Sequence, residues 1–298
     1  MVFRNDDLPA LFHRADTAAI SRQQESTQAT RTQLLLLVLA AVAAALPWSV
    51  ELGGLQLVGA LSASAYAGVL FLSFRIARRR ARPQWQLNRS AAEFIKSLCW
   101  RYAVHGAPFE SDTADPDGLF HARMEAGLQE LRKIGWQDPR GDAGSASGVE
   151  ITAPMRELRV RAYQVRRETY VRDRLIEQRN WYRRRTEVSR KATTLWASSI
   201  AVLTFLALMF SSLRALGTGP SANLAGLFSA AAAAGIAWNE VRRHHALIEA
   251  HSVVERDLSA MLVAMQTTVT EPQWSGAVYE TERYVSPQHT DWLARHSS

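Results

Sequence analysis

The sequence is nearly devoid of cysteine. Cys99 stands alone in 298 residues, which excludes an internal disulfide framework and any cysteine-based zinc site. Local catalytic signatures are missing as well. There is no nucleophile elbow, no Walker loop and no dinucleotide loop, and the glycines are scattered. No stretch asks to be a strand. His244, His245 and His251 share one helical segment, with Glu249 and Glu255 nearby, but no ligand spacing emerges. They read as a hydrated or headgroup-facing helix. Neither a metal nor a cofactor is expected, and the chain is not expected to be an enzyme.

What the sequence has in quantity is positive charge and apolar length. The net charge is +7, so nucleic acid, anionic lipid and phosphorylated ligands are the partner classes to weigh. The mean hydropathy of -0.14 averages over very unequal parts. Four apolar runs stand out: Gln33 to Leu52, Leu55 to Ile76, Thr193 to Leu213, and the alanine-rich Ser221 to Val241. A helical membrane span takes roughly 20 apolar residues, and these runs meet that length. Their centres hold no ionisable group, which argues against an intramembrane protease, a proton relay or a cation-coupled transporter.

Topology follows from loops and charge. Short connections, 51–54 and 214–220, join the runs in pairs, so each pair is an antiparallel hairpin. Basic residues gather at one end of both hairpins. Arg31 precedes the first run, "FRIARRRARPQW" follows the second, "WYRRRTEVSRK" precedes the third and "VRRHH" follows the fourth. The positive-inside rule puts these ends, and both termini, in the cytoplasm. Trp48, Trp196 and Trp238 lie near run ends, where amphipathic rings favour the interface. The polar residues before the first run do not resemble a cleaved signal peptide. The arginines from Arg75 to Arg82 thus serve topology and anionic headgroups, and nucleic acid is not expected as a partner.

The expected fold class is an all-α membrane protein: two transmembrane helical hairpins, four spans, and an all-helical cytoplasmic domain. An amphipathic N-terminal helix occupies 1–32, the first hairpin 33–76 and cytoplasmic helices 77–140. A linker covers 141–153, with the flexible composition "GDAGSASG". One long basic helix covers 154–192, capped by Thr152 and running into the second hairpin, 193–241. A C-terminal helix and tail occupy 242–298. Asp115 is a candidate N-cap with Pro116 at the first helical position. Pro272, Gly276 and Pro287 mark the tail beyond Gln266 as loop with at most a short helix. The two halves share one architecture, a coarse internal repeat.

Small residues recur at four-residue spacing in two spans: Gly59, Ala63 and Ala67, then Gly226, Ala230 and Ala234. Such faces allow close helix approach, within a hairpin or between subunits. Ser62, Ser64, Ser198, Ser199, Thr204 and Ser229 are the polar groups at depth. They could line a narrow wet path, but bonding back to their own helix carbonyls is commoner. Arg159, Arg166, Arg183, Arg184 and Arg185 are candidate anion contacts. Pairing of Arg174 with Glu177 or Gln178 reads as helix-surface charge.

Three patches carry a family resemblance: "RSAAEFIKSLCWRYAVHGAPF" after the first hairpin, "YVRDRLIEQRNWYRRR" before the second and "WNEVRRHHALIEAHSVVERDL" after it. This order resembles the SLATT proteins, the SMODS and SLOG-associating two-TM effectors of bacteria, with two SLATT-type units in one chain. By resemblance, Glu93, Lys96, Trp100, Arg101 and Tyr102 occupy the first motif, and Arg174, Gln178, Trp181 and Tyr182 the second. The resemblance implies a multi-pass effector of the bacterial inner membrane in an anti-phage conflict system. Such an effector forms a pore or perturbs the bilayer as a homo-oligomer, triggered by a nucleotide second messenger or a sensor protein. The rival expectations are a non-conducting membrane scaffold that recruits cytoplasmic partners and, behind it, a membrane-anchored enzyme.

Overall fold

The computed structural model of the chain describes residues 1–45, 51–52, 55–78, 81–139, 150–218, 220, 222–242 and 244–285. Nine helices organise the described residues: α1 (Ala10–Ala45), α2 (Leu57–Arg78), α3 (Ala81–Ala103), α4 (Pro116–Lys133), α5 (Ala153–Arg159), α6 (Tyr163–Ala215), α7 (Leu224–Arg242), α8 (His244–Thr267) and α9 (Glu271–Val285). A two-residue antiparallel ladder joins Glu51–Leu52 to Leu55–Gln56 at the tip of the first hairpin. No strand was expected there; the ladder pairs Glu51 with Gln56 and Leu52 with Leu55 between two helices. The linker expected at 141–148 lies outside the described residues.

Two compact units divide the chain. One comprises 1–23, 82–184 and 250–298; the other comprises 24–81 and 185–249. The second unit holds the apolar parts of α1, α2, α6 and α7. These four helices are long and apolar enough to cross a membrane. Their large side chains face outward: Leu70, Phe71, Phe205 and Leu208 are exposed, as membrane spans require and a buried core would not permit. Within the first hairpin, Ser62 Oγ donates to Ala40 O at 3.4 Å, and Gln33 Nε2 donates to Ser73 Oγ at 2.9 Å. Thr204 Oγ1 bonds back to Ile200 O at 2.8 Å.

The first unit contains a hydrophobic core contributed by both chain halves. Phe3, Leu11, Phe12 and Ala15 pack with Ile95, Leu98, Trp100, Phe120, Leu128, Leu158, Tyr170, Leu258 and Trp274. The periodicity of α3 is realised: Ala91, Ile95, Leu98 and Tyr102 are buried. Asp115 caps α4 by accepting from Gly118 N at 2.8 Å, with Pro116 in the first turn.

Two expectations need correction. The helix expected over 154–192 starts as two pieces, because α5 ends at Arg159 and α6 begins at Tyr163. Arg159 explains the break. Its Nη1 donates to Tyr102 O at 2.7 Å and Phe109 O at 3.0 Å, and its Nη2 to Glu110 O at 3.2 Å. Met155 and Leu158 are buried beside it, so tertiary contacts stop a sequence whose propensity would continue. Thr152 precedes α5 but its hydroxyl donates to Asp7 O at 2.6 Å instead of capping. The second correction is the tail. Glu271–Val285 is a 15-residue helix with Pro272 in its first turn, where a missing N–H costs nothing. Trp274, Val278, Thr281, Glu282 and Val285 form its buried face.

Candidate functional site: a buried charge cluster on a π turn

The site begins with an irregularity in α6. Residues Val171–Ile176 form a π turn, a rare insertion into a helix that is frequently found at functional positions. Arg174 lies within this turn, and its side chain is 1% exposed. Arg174 Nε donates to Glu282 Oε1 at 2.9 Å and Nη2 to Glu282 Oε2 at 2.8 Å, a two-pronged pair. Tyr170 donates its hydroxyl to the same carboxylate at 2.9 Å. Arg174 was expected on the helix surface with Glu177 or Gln178; instead it is a core residue whose partner comes from α9.

Charge from α3 completes the cluster. Glu93 is bonded to Arg89, and Arg89 Nη1 also reaches Asp16 at 3.0 Å. Burial opposes ionisation of Glu93, but Arg89, Lys96 and Arg174 outweigh it and hold the carboxyl below its usual range. Burial, reinforced by the Arg174 guanidinium, pushes the Lys96 ammonium down to about 8 against the pull of Glu93, Glu177 and Glu282. Burial opposes the Arg174 charge, yet Glu282 keeps the guanidinium firmly protonated. Burial and the Glu282 charge drive the Tyr170 phenol well above its ordinary value. One oxygen of Glu93 and one nitrogen of Arg174 are buried without a hydrogen-bond partner, so the cluster is not fully satisfied.

Aromatic rings clamp this centre. Trp100 meets Phe3 at 4.7 Å and Tyr170 at 5.6 Å, both edge-on. Trp274 meets Tyr170 at 5.7 Å and donates its indole N–H to Val104 O at 2.6 Å. Arg101 lies over the Tyr279 ring at 4.6 Å and donates to Ala107 O at 2.6 Å. Tyr102 bonds Asp117, which also binds Arg156. Burial, with that hydrogen bond, pushes the Tyr102 phenol up to about 12. Gln178 bonds Tyr182. Trp181 and Tyr182 pack on the His251 ring at 5.7 and 5.4 Å. His251 is thus buried, not hydrated or headgroup-facing as expected. His244 and His245 fall outside the described side chains.

The structure therefore brings Glu93, Lys96 and Arg174 to one place and sets Trp100 against it. Arg101, Tyr102, Gln178, Trp181 and Tyr182 build its flanks. Glu282, Tyr170 and Trp274 escaped sequence reasoning. The signal for two of them was present in the helical spacing of Trp274, Val278, Glu282 and Val285 behind Pro272.

The five arginines expected to contact anions have separate fates. Arg159 is consumed by backbone carbonyls, and its guanidinium stacks over the Tyr102 ring at 4.9 Å. Arg166 is buried and donates to Arg161 O at 2.7 Å. Arg183, Arg184 and Arg185 are exposed. Arg184 lines a polar cleft of about 600 Å³ beside the π turn, with Arg4, Arg172, Asp6, Asp173 and Glu177. Three cations face three carboxylates there. Arg172 Nε is paired to Asp173 at 2.6 Å, and Asp173 also accepts from Phe3 N at 3.0 Å.

The small-residue faces also resolve. Gly59, Ala63 and Ala67 are exposed, and the close approach within the hairpin is made by Ala65 and Gly68. A Cβ on Gly68 would meet Leu36 Cδ1 at 3.2 Å. In α7 the close contact is Gly235, where a Cβ would meet Ile200 Cγ1 at 3.2 Å. Gly226 is exposed, while Ala230 and Ala234 are half-buried.

No group of three His, Cys, Asp or Glu side chains among the described residues stands together as a metal site. Two apolar hairpins, with a helical polar unit built around an interior ion pair, define an all-α membrane protein with four spans. The comparisons give this class its family. Residues 9–167 match SMODS and SLOG-associating 2TM effector domain 3, and residues 170–292 match SMODS and SLOG-associating 2TM effector domain 1. The chain belongs to the SLATT family and carries two such domains in tandem. No curated protein and no solved structure matches it significantly.

Proposed function

We propose that this protein is a bacterial inner-membrane effector that oligomerises and breaches the bilayer when its polar unit receives a signal. The carrying observation is the charge cluster on the π turn. Arg174 sits in the same continuous helix, Tyr163–Ala215, that supplies the third span. A π turn has a regular helix as its alternative, and the switch would rotate Arg174 out of its pocket. A buried ion pair contributes little net stability but strongly disfavours losing one partner, which suits a two-state element. The outward-facing Gly59, Ala63 and Ala67 stripe supports association between copies. The positive-inside rule supports cytoplasmic termini.

The trigger is a nucleotide second messenger or a sensor protein. The cleft formed by Arg4, Arg172 and Arg184 is the place where an anionic trigger would compete with Asp173 and Glu177 for arginine. Dye release from liposomes holding the purified protein tests the reading. Leakage that rises with added trigger supports it. A tight membrane under the activating signal leaves the non-conducting scaffold instead.

A further inference from the structure

Within the apolar unit, a groove of about 590 Å³ opens between α1, the third-span part of α6, and α7. That volume lies in the range of small-molecule sites. One end of the groove is polar, with Arg31 and Arg242. The remainder is apolar, with Leu34, Val38 and Ala231 among its walls. Neither arginine forms an ion pair among the described residues, and no carboxylate lines the groove. Arg242 lies over the Trp238 ring at 5.8 Å. Trp196 and Trp238 are at span ends, the level at which amphipathic rings meet headgroups.

We propose that this groove holds one anionic phospholipid, its phosphate between Arg31 and Arg242 and an acyl chain along the apolar wall. The charge pattern selects this occupant. Two unpaired cations without a local acid demand an anion, and the apolar wall beyond them demands a chain. A free anion would leave the wall empty.

Native mass spectrometry of the full chain in neutral detergent tests the site, with phosphatidylglycerol and phosphatidylcholine of matched chains as probes. The parent protein retains one phosphatidylglycerol, preferred by roughly thirtyfold, as two basic contacts near a membrane surface would give. Arg31→Gln with Arg242→Gln abolishes the preference, whereas the Arg31→Lys, Arg242→Lys pair keeps most of it. Ala231→Leu fills the wall and lowers retention of both lipids with the arginines intact. Circular dichroism and elution volume confirm that each variant is folded. Equal retention of the two lipids by the parent overturns the proposal, as does a preference indifferent to the glutamine pair. Displacement of the lipid by inorganic phosphate alone, or disulfide cross-linking of two chains through Ala231→Cys in bilayers, also overturns it.

Discussion

The polar and apolar units use the same residue types in opposite ways. In the polar unit Trp100 and Trp274 are each 2% exposed, and even Arg174 and Glu282 are interior. In the apolar unit Phe205 is 65% exposed and Leu208 is 64% exposed, while the buried positions are small residues: alanine, Gly235, Thr186 and Ser189. Each unit is folded against a different solvent. Water drives large apolar groups inward, whereas lipid tails are as apolar as leucine and leave backbone proximity to decide packing. The two family domains do not coincide with these units. Each domain supplies one hairpin to the apolar unit and helices to the polar one.

Substitutions can break this contrast. The largest effect is expected from Glu282→Ala, which strands the Arg174 guanidinium in the core and costs about 3–5 kcal/mol. Denaturant titration of detergent-solubilised protein, followed by tryptophan fluorescence, measures it. Replacing both partners, Arg174→Met with Glu282→Leu, recovers most of the loss. Unchanged stability of Glu282→Ala alone would mean that the ion pair is not the two-state element.

Trp100→Ala also costs about 3–5 kcal/mol, since it empties the space between Phe3 and Tyr170. Gly106→Ala is next, at about 1–3 kcal/mol. Its new Cβ would stand 2.5 Å from Val278 Cγ1, with the Arg101 backbone behind it. Thermal unfolding by circular dichroism should rank the two in that order.

His105 gives the polar unit a pH dependence. Burial, then the charges of Arg159 and Arg166, lower its imidazole to about 4 from an ordinary value of 6.5. The unfolded chain therefore takes up a proton first. Stability falls as pH drops from 6.5 to 4, and the loss is complete below that window. After solvent screening the effect is roughly 1–2 kcal/mol. His105→Asn should flatten the unfolding midpoint across the same range. The smallest effect is expected in the apolar unit, where Phe205→Ala should cost less than about 1 kcal/mol because lipid replaces the ring. A cost like that of Trp100→Ala would mean that Phe205 packs against protein.

Much of the fold was legible because its signals are local. Apolar length marks the spans, Asp115 with Pro116 marks the start of α4, and the α3 spacing marks its buried face. The tail reads as loop because Pro272 and Gly276 are helix breakers by type, though one sits in a first turn and the other on a helix surface. The break at Val160 had no local sign at all. It is set by Arg159 reaching carbonyls some fifty residues away along the chain. In the site, the motif residues Glu93, Lys96 and Arg174 were named from resemblance, but Glu282 belongs to a segment read as loop.

The sequence by itself determined the solvent of each segment: which stretches are apolar enough to enter lipid and which are polar enough to remain in water. Hydropathy is additive along the chain, so it needs no partner. Only the tertiary structure decided which charges are interior. Arg174 and Glu282 are 108 residues apart, and a guanidinium becomes a core residue only when a carboxylate from elsewhere meets it. That pairing is a property of two helices docking: the spacing of α9 places Glu282 on its buried face but does not name the partner.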